Sequence, residues 1–504
     1  MKRYFISIVL IVLMSACSHV DVKFLNNQSS VISLSAGESL LLPIEDNAPE
    51  VSLEIDSHVW NVRLAQSRVD YYIPYTAPVN MDINIDGLSF ESSFYEYVRK
   101  GNPAKTWVNS TPSIHFRPLY GWINDPNGMC YKDGVWHLFY QYNPFGAKWG
   151  NLSWGHATST DLVKWEHCDV ALIPDELGMI FSGSAVVDEN GTAGFGENAV
   201  VAIYTSAGTR QTQSIAYSTD GFKFEKYNKN PVLVSHRPDF RDPKVIWHEE
   251  TSAWIMAISA GNAMEFYRST DLKNWEFASR YGEGAGNHGG VWECPDLFPL
   301  EYDGNNKWIL ISSCSRNSTL GTGSQYFIGS FDGFVFTPDS VSDKWMDYGM
   351  DHYAAVTFSN APQDRRISMA WEGNWMYAND LPLKGWRCMM TVPRELFLME
   401  YNGSLVMGSM PVQEVIEKCT ENIHHYTLSE DSSSLMIDGL SLNLDGNNLT
   451  VSRKSELKFN DKFNVETSVT LDKRSEHDLL VLKDKNSVEI FIDGGAVAMT
   501  FLIF

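Results

Sequence analysis

"STDLVKWE" (159–166), "STDGFKFE" (218–225), "STDLKNWE" (269–276) and "SFDGFVF" (330–336) are four variants of one turn, and they decide the fold. Their aspartates, Asp161, Asp220, Asp271 and Asp332, recur at intervals of 59, 51 and 61 residues. A near-fixed period of this length marks a repeat architecture. A second landmark accompanies the repeat: a short polar motif and a buried-looking strand such as "VWHLFYQYN", "AWIMAIS" or "KWILISS". These landmarks fall at Asp125, Ser182, Asp242 and Glu293, with a fifth near Asp351. Five near-equal β-units with no competing helical period predict an all-β chain built around a five-bladed β-propeller, four strands to a blade.

The flanks differ in texture. Residues 18–108 alternate apolar and polar residues in short runs ("VISLSAGESLLLPI", "VSLEI", "YYIPY") and read as a small β-sandwich-like accessory domain. The propeller is expected over 109–396 and a C-terminal β-sandwich over 397–504, where the chain turns Ser/Asn/Asp-rich and ends in "NSVEIFIDGGAVAMTFLIF". Residues 1–17 carry Lys2 and Arg3, an apolar stretch, then Ser15-Ala16-Cys17. This is the pattern of a secretory signal, and Cys17 after Ser-Ala resembles a bacterial lipoprotein box with lipidation at that cysteine. No later segment is long and apolar enough to cross a membrane. A lipid anchor is therefore the expected membrane attachment, facing the periplasm or the outer surface of a Gram-negative cell.

The chain has 504 residues, enough for two or three domains, and a formal charge of −23. That charge argues against nucleic acid and anionic membrane surfaces as partners. Sixteen Trp, 22 Tyr and 26 Phe suit both strand packing and sugar binding. The seven cysteines include no C-x-x-C pair, so neither zinc nor redox chemistry is indicated, and most are expected to be buried small hydrophobes.

A propeller directs the first strand of every blade to its axis, so equivalent positions converge on one funnel. Repeat position brings Asp125, Asp242 and Glu293 there together. Local turn formation explains Asp-Pro at 125–126 and 242–243, but not Glu293 in "VWECPDLF". Carboxylates in a closed pocket suggest glycoside hydrolysis. Asn124, Asn127 and Gly128 can hydrogen-bond Asp125 and keep it ionised, as a nucleophile requires. Apolar neighbours of Glu293 favour a raised pKa and a general acid. Arg241 is expected to hold Asp242 charged.

"WINDPNG", "QYNP", "FSGSAV", "RDP" and "WECPDLF", in this order, resemble glycoside hydrolase family 32, the β-fructofuranosidases that include invertases, inulinases and levanases. The likeness runs from His115 to about Glu395 and continues more weakly to the C-terminus. It implies a propeller followed by a β-sandwich, here shortened, and no metal or organic cofactor. It also implies Asp125 as nucleophile, Glu293 as acid/base and Asp242 as transition-state stabiliser. Asn124, Gln141, Trp149, Phe181, Ser182 and Arg241 would line the fructose pocket, with Asp351 and Trp371 as two further pocket residues. Trp149 and Trp371 have the alternative of plain core aromatics, Ser182 that of a turn residue, and Asp347 competes with Asp351. Cys294 would tune the acid or simply be buried.

The domain at 18–108 lies outside the common family plan. It resembles the accessory domain of fructan-degrading enzymes from gut-type Gram-negative bacteria. The expected activity is retaining release of terminal fructose from levan, inulin and sucrose, with nucleophile and acid about 5–5.5 Å apart. Endo-acting levanase and fructosyltransferase are alternatives on the same three carboxylates. A non-catalytic glycan-binding propeller is the alternative of another class, and it predicts loss of one of them.

Overall fold

The computed structural model describes residues 20–102 and 112–504; Cys17 and the leader lie outside them. Residues 20–102 form a unit of two antiparallel sheets. One sheet orders Val22–Phe24, Ser29–Leu34, Met81–Asp86, Val51–Ile55 and His58–Val62; the other orders Tyr71–Thr76, Ser39–Ile44 and Arg99–Lys100. Alternation does what the sequence predicts: Leu53, Ile83 and Ile85 are buried while Ser52, Asp82 and Asp86 face outward or lie part-way out. Glu45 is fixed by the amides of Gln66 and Ser67 and by the Ser67 hydroxyl.

The second unit opens with the propeller. Its inner strands are Gly121–Lys132, Met179–Asp188, Phe240–His248, Glu293–Tyr302 and Tyr353–Thr357. Each starts an antiparallel blade, and each inner strand packs on the next, with the fifth returning to the first. A short strand at Trp386–Arg387 pairs parallel to Gly121–Trp122 and ties the end of the ring to its beginning. Because blades cover both faces, the second strands read as nearly unbroken apolar runs, buried along almost their whole length.

The repeated aspartates perform one local task four times. Asp161, Asp220, Asp271 and Asp332 each accept the amides of the residues two and three positions on, closing the turn between third and outermost strand. Repeat spacing thus reports turn chemistry at the propeller's rim.

At the axis each inner strand carries a bulge, two residues facing one on the neighbouring strand. The bulge pairs are Asn124-Asp125, Phe181-Ser182, Asp242-Pro243, Cys294-Pro295 and Ala354-Ala355. This corrects the expectation that the three carboxylates share one repeat position. Asp125 is the second bulge residue, Asp242 the first, and Glu293 the residue before the bulge. They converge because the bulge turns successive side chains toward the funnel.

The boundary at 396 is also corrected. Arg394–Tyr401 and Ser404–Pro411 are the outer strands of blade five, so the propeller runs to 411. The C-terminal sandwich then pairs two four-stranded sheets around Leu428, Leu440, Leu442, Val451, Val481, Ile490 and Phe501. The described cysteines are free, and Cys130, Cys294, Cys314, Cys388 and Cys419 are buried, as expected of small hydrophobes. Among the described residues no helix is long and apolar enough to cross a membrane.

Candidate active site

At one end of the axis Asn124, Asp125, Gln141, Trp149, Phe181, Ser182, Arg241, Asp242 and Glu293 line a single cavity of about 430 Å³. Beneath them, between Asn127, Ser184, Asp242, Lys244 and Cys294, the axis narrows to a void of about 10 Å³, no more than one water. The funnel is closed below.

Each carboxylate has its own setting. Asp125 Oδ2 accepts the Ser182 hydroxyl at 2.6 Å and the Cys294 thiol at 3.4 Å, while Oδ1 accepts the Asn124 amide at 3.0 Å. Asn124 is itself aimed by Trp122, whose Nε1 donates to its Oδ1 at 2.8 Å. These contacts fix the carboxylate in place. Asn127 does not contribute; its Oδ1 accepts the amide of Gly183 instead.

Glu293 is the most accessible of the pair it forms with Asp242, its side chain 28% exposed against 6%. Arg241 donates to Oε1 from Nε at 3.2 Å and Nη2 at 3.0 Å, and the Tyr353 hydroxyl donates to Oε2. The expected apolar setting for Glu293 is therefore overturned. The dry position belongs to Asp242. It is held by the Cys294 amide at 3.0 Å, and its own amide, at φ +63°, donates to Thr205 Oγ1.

Arg241 does not hold Asp242 charged as expected. It reaches Glu293 and Asp239, leaving its Nε 4.0 Å from Asp242. Burial above all, opposed by Arg241 but reinforced by Glu293 and Asp125, pushes the Asp242 pKa up to about 7. The sign follows directly. Between the carboxyl's ordinary 3.8 and about 7 the folded chain binds the extra proton, so stability falls as pH rises through that window. Asp242→Asn should therefore be more stable than the parent at pH 8, by on the order of 4 kcal/mol and with a higher melting temperature, and match it near pH 3. Equal melting at both pH values would show that Asp242 carries no such burden.

Two expected pocket residues lie elsewhere. Asp351 is fully buried, with Oδ1 accepting the Tyr377 hydroxyl at 2.6 Å and Oδ2 paired with Arg453 at 2.5 Å, a link between propeller and sandwich. Trp371 is a core aromatic, fully buried between Trp122 and Tyr353. The indole of this segment that joins Trp149 on the funnel lining is Trp375, 37% exposed and stacked on Trp122 at 5.9 Å. Gln211 also lines it and accepts from Arg241. "WEGNW" contains both indoles, and only packing tells them apart.

Tyr353 is a third residue missed, after Trp375 and Gln211. Burial, then the Glu293 carboxylate, raises its phenol pKa well above the ordinary value, so it remains a donor. Removing it takes a donor from Oε2 while Arg241 still holds Oε1, so Tyr353→Phe should lower kcat/KM by about tenfold and leave the melting temperature near the parent's. Unchanged kcat/KM, or a loss matched by a loss of stability, would leave Tyr353 a packing residue.

Among the described residues, His115, Glu372 and Glu489 are close enough to hold a metal ion. Both imidazole nitrogens already meet carboxylates, Asp484 at 3.0 Å and Glu489 at 2.9 Å, an arrangement that holds a proton.

Residues 115–409 match the family model for the glycosyl hydrolases family 32 N-terminal domain, and 441–504 match that family's C-terminal model. The levanase of Bacillus subtilis (strain 168) is 47% identical over 341 residues, 64% of this chain and 50% of that protein. An extracellular exo-inulinase of Meyerozyma guilliermondii is 46% identical over 312 residues, 58% and 60% of the two chains. The chain thus spans only half to three-fifths of these relatives. The solved exo-inulinase of Aspergillus awamori superposes with a TM-score of 0.71 at 31% identity, covering 78% of this chain and 93% of that one. With a family match over more than half its length, the chain belongs to glycosyl hydrolases family 32.

Proposed function

We propose that this protein is a retaining, exo-acting β-fructosidase that removes terminal fructose from levan or inulin, and from sucrose. The observation that carries this reading is three carboxylates of different setting converging in a funnel closed beneath them. A funnel closed below seats one fructosyl unit on the carboxylates, and the relatives named exo-inulinase support removal from the chain end. Relatives named levanase and exo-inulinase support the substrate class.

In this mechanism Asp125, fixed by Ser182 and Asn124, attacks the anomeric C2 of the terminal fructosyl unit. Glu293 protonates the departing oxygen, then takes a proton from the water that cleaves the covalent intermediate. Asp242 grips fructose hydroxyls from the floor. Trp149, Phe181 and Trp375 supply apolar walls for the sugar ring. The extracellular relatives support secretion, the leader pattern ending at Cys17 supports lipidation there, and residues 20–102 serve as an accessory domain.

Product analysis on levan, inulin and sucrose tests the proposal. Fructose alone from the first minutes, with retained configuration at C2, is the expected result. Early oligosaccharides would replace it with endo-action, and no hydrolysis on any of the three would leave a glycan-binding protein.

A further inference from the structure

A second cavity, of about 530 Å³, is lined by Arg237, Asn262, Arg280, Glu283 and His288. None of these residues lines the funnel. Arg237, Glu283 and His288 lie on the segments leading into the inner strands Phe240–His248 and Glu293–Tyr302, Asn262 lies in the hairpin after Ala253–Ala260, and Arg280 lies on the outer strand Glu276–Tyr281. Arg237 lies four residues before Arg241, a separation that cannot exceed about 14 Å. Gly261, beside Asn262, donates its amide to Asp239 O at 3.0 Å, and Asp239 holds Arg241 at 2.7 Å. Trp292, the residue before Glu293, donates its amide to Gly261 O at 2.9 Å. The cavity therefore opens at the catalytic end of the propeller, over blades three and four.

Its lining suits a neutral, hydroxyl-rich ligand. The two guanidinium groups are balanced by carboxylates: Glu265 meets Arg237 at 2.8 Å and Arg280 at 3.1 Å, and Glu283 stands on the lining itself. No net charge is left to select an anion, while both donors and acceptors are present on the lining. His288 adds a flat surface. Its exposed ring stacks at 5.2 Å and 12° on the buried Trp292, which keeps one imidazole face turned outward. Trp292 is locked in turn by its Nε1 bond to Asn287 O at 2.7 Å. A preorganised flat ring beside amide and guanidinium donors is a surface for sugar rings.

We propose that this cavity is a distal subsite that holds fructosyl units several residues back from the one being cleaved, and so selects for long fructans over sucrose. This rests on the β-fructosidase reading of the funnel. Binding energy gained far from the scissile bond raises kcat/KM for substrates long enough to reach it, and leaves short ones unaffected.

The test compares sucrose with fructo-oligosaccharides of increasing length, levan and inulin, on the full chain. For the parent, kcat/KM should climb with chain length and then level off. Asn262→Ala with His288→Ala, which spares the Glu265 ion pairs, should lower kcat/KM on the long substrates about tenfold and leave sucrose unchanged. In a Glu293→Gln background, the same pair should weaken binding of long oligosaccharides and not of short ones. A variant that keeps the parent's length dependence, or that loses sucrose and fructan activity in equal measure, overturns the subsite. A parent inactive on every substrate overturns the reading of the funnel instead.

Discussion

Asp125→Asn should lose at least about 10⁴-fold in kcat/KM on every fructoside, while the folded chain melts close to the parent temperature. The carboxylate is held by donors from three different side chains, Ser182, Asn124 and Cys294. Such fixing spends no motion at the moment of attack. An amide in the same place keeps the shape and cannot form the covalent intermediate. Glu293→Gln should fall by about 10² to 10⁴, because only proton transfer is lost. The two defects separate chemically. A fructoside whose leaving group departs without a proton should restore the first step in Glu293→Gln and do nothing for Asp125→Asn. If both recover alike, or if Asp125→Asn keeps a tenth of the parent rate, the roles assigned to these two carboxylates are wrong.

Much of this site is legible in the chain because repeats convert sequence distance into spatial position. Four aspartates in one turn motif announce the blades, and the polar motifs between them announce the funnel. What the repeat does not carry is register within the bulge. A one-residue offset moves Glu293 from the bulge itself to the position before it, and sets Tyr353 rather than Asp351 beside Glu293. The same limit misplaces Trp371. Two indoles four residues apart have equal claims until packing buries one and leaves Trp375 on the rim. Side-chain direction also escapes the sequence. Arg241 adjoins Asp242 in the chain, yet its guanidinium turns to Glu293 and leaves Asp242 to bear the cost of burial.

The boundary at 396 lies elsewhere for another reason: blade five gives its last two strands to a surface shared with the sandwich, where an apolar seam that includes Val392, Phe491, Ala498 and Leu502 runs beside a set of buried charges. Arg394, in that outer part of blade five, is fully buried. It donates to Asp347 at 2.9 Å, to Glu489 Oε2 at 2.9 Å and to Thr500 at 2.6 Å. Glu489 Oε1 accepts the Val392 amide at 2.8 Å and meets His115 Nε2 at 2.9 Å, and His115 Nδ1 meets Asp484 at 3.0 Å. One chain of charges thus joins the segment ahead of blade one, the last blade and the sandwich. Deleting a member leaves its partners charged and buried, which costs about 3–5 kcal/mol. Arg394→Met should lower stability by that much in thermal and denaturant unfolding, well beyond the loss from its packing alone. Burial by itself would depress the His115 pKa, but Glu372, Asp484 and Glu489 outweigh it and raise it to about 10. The imidazolium therefore supports the fold fully below its ordinary 6.5, and that support drains away as pH climbs toward 10. The Asp242 window closes at about 7, so the two titrations barely overlap. Melting temperature should fall from pH 7 to pH 10 in the parent and stay nearly level in His115→Gln. An equal alkaline slope in both proteins would remove the imidazolium from the account of how propeller and sandwich are held together.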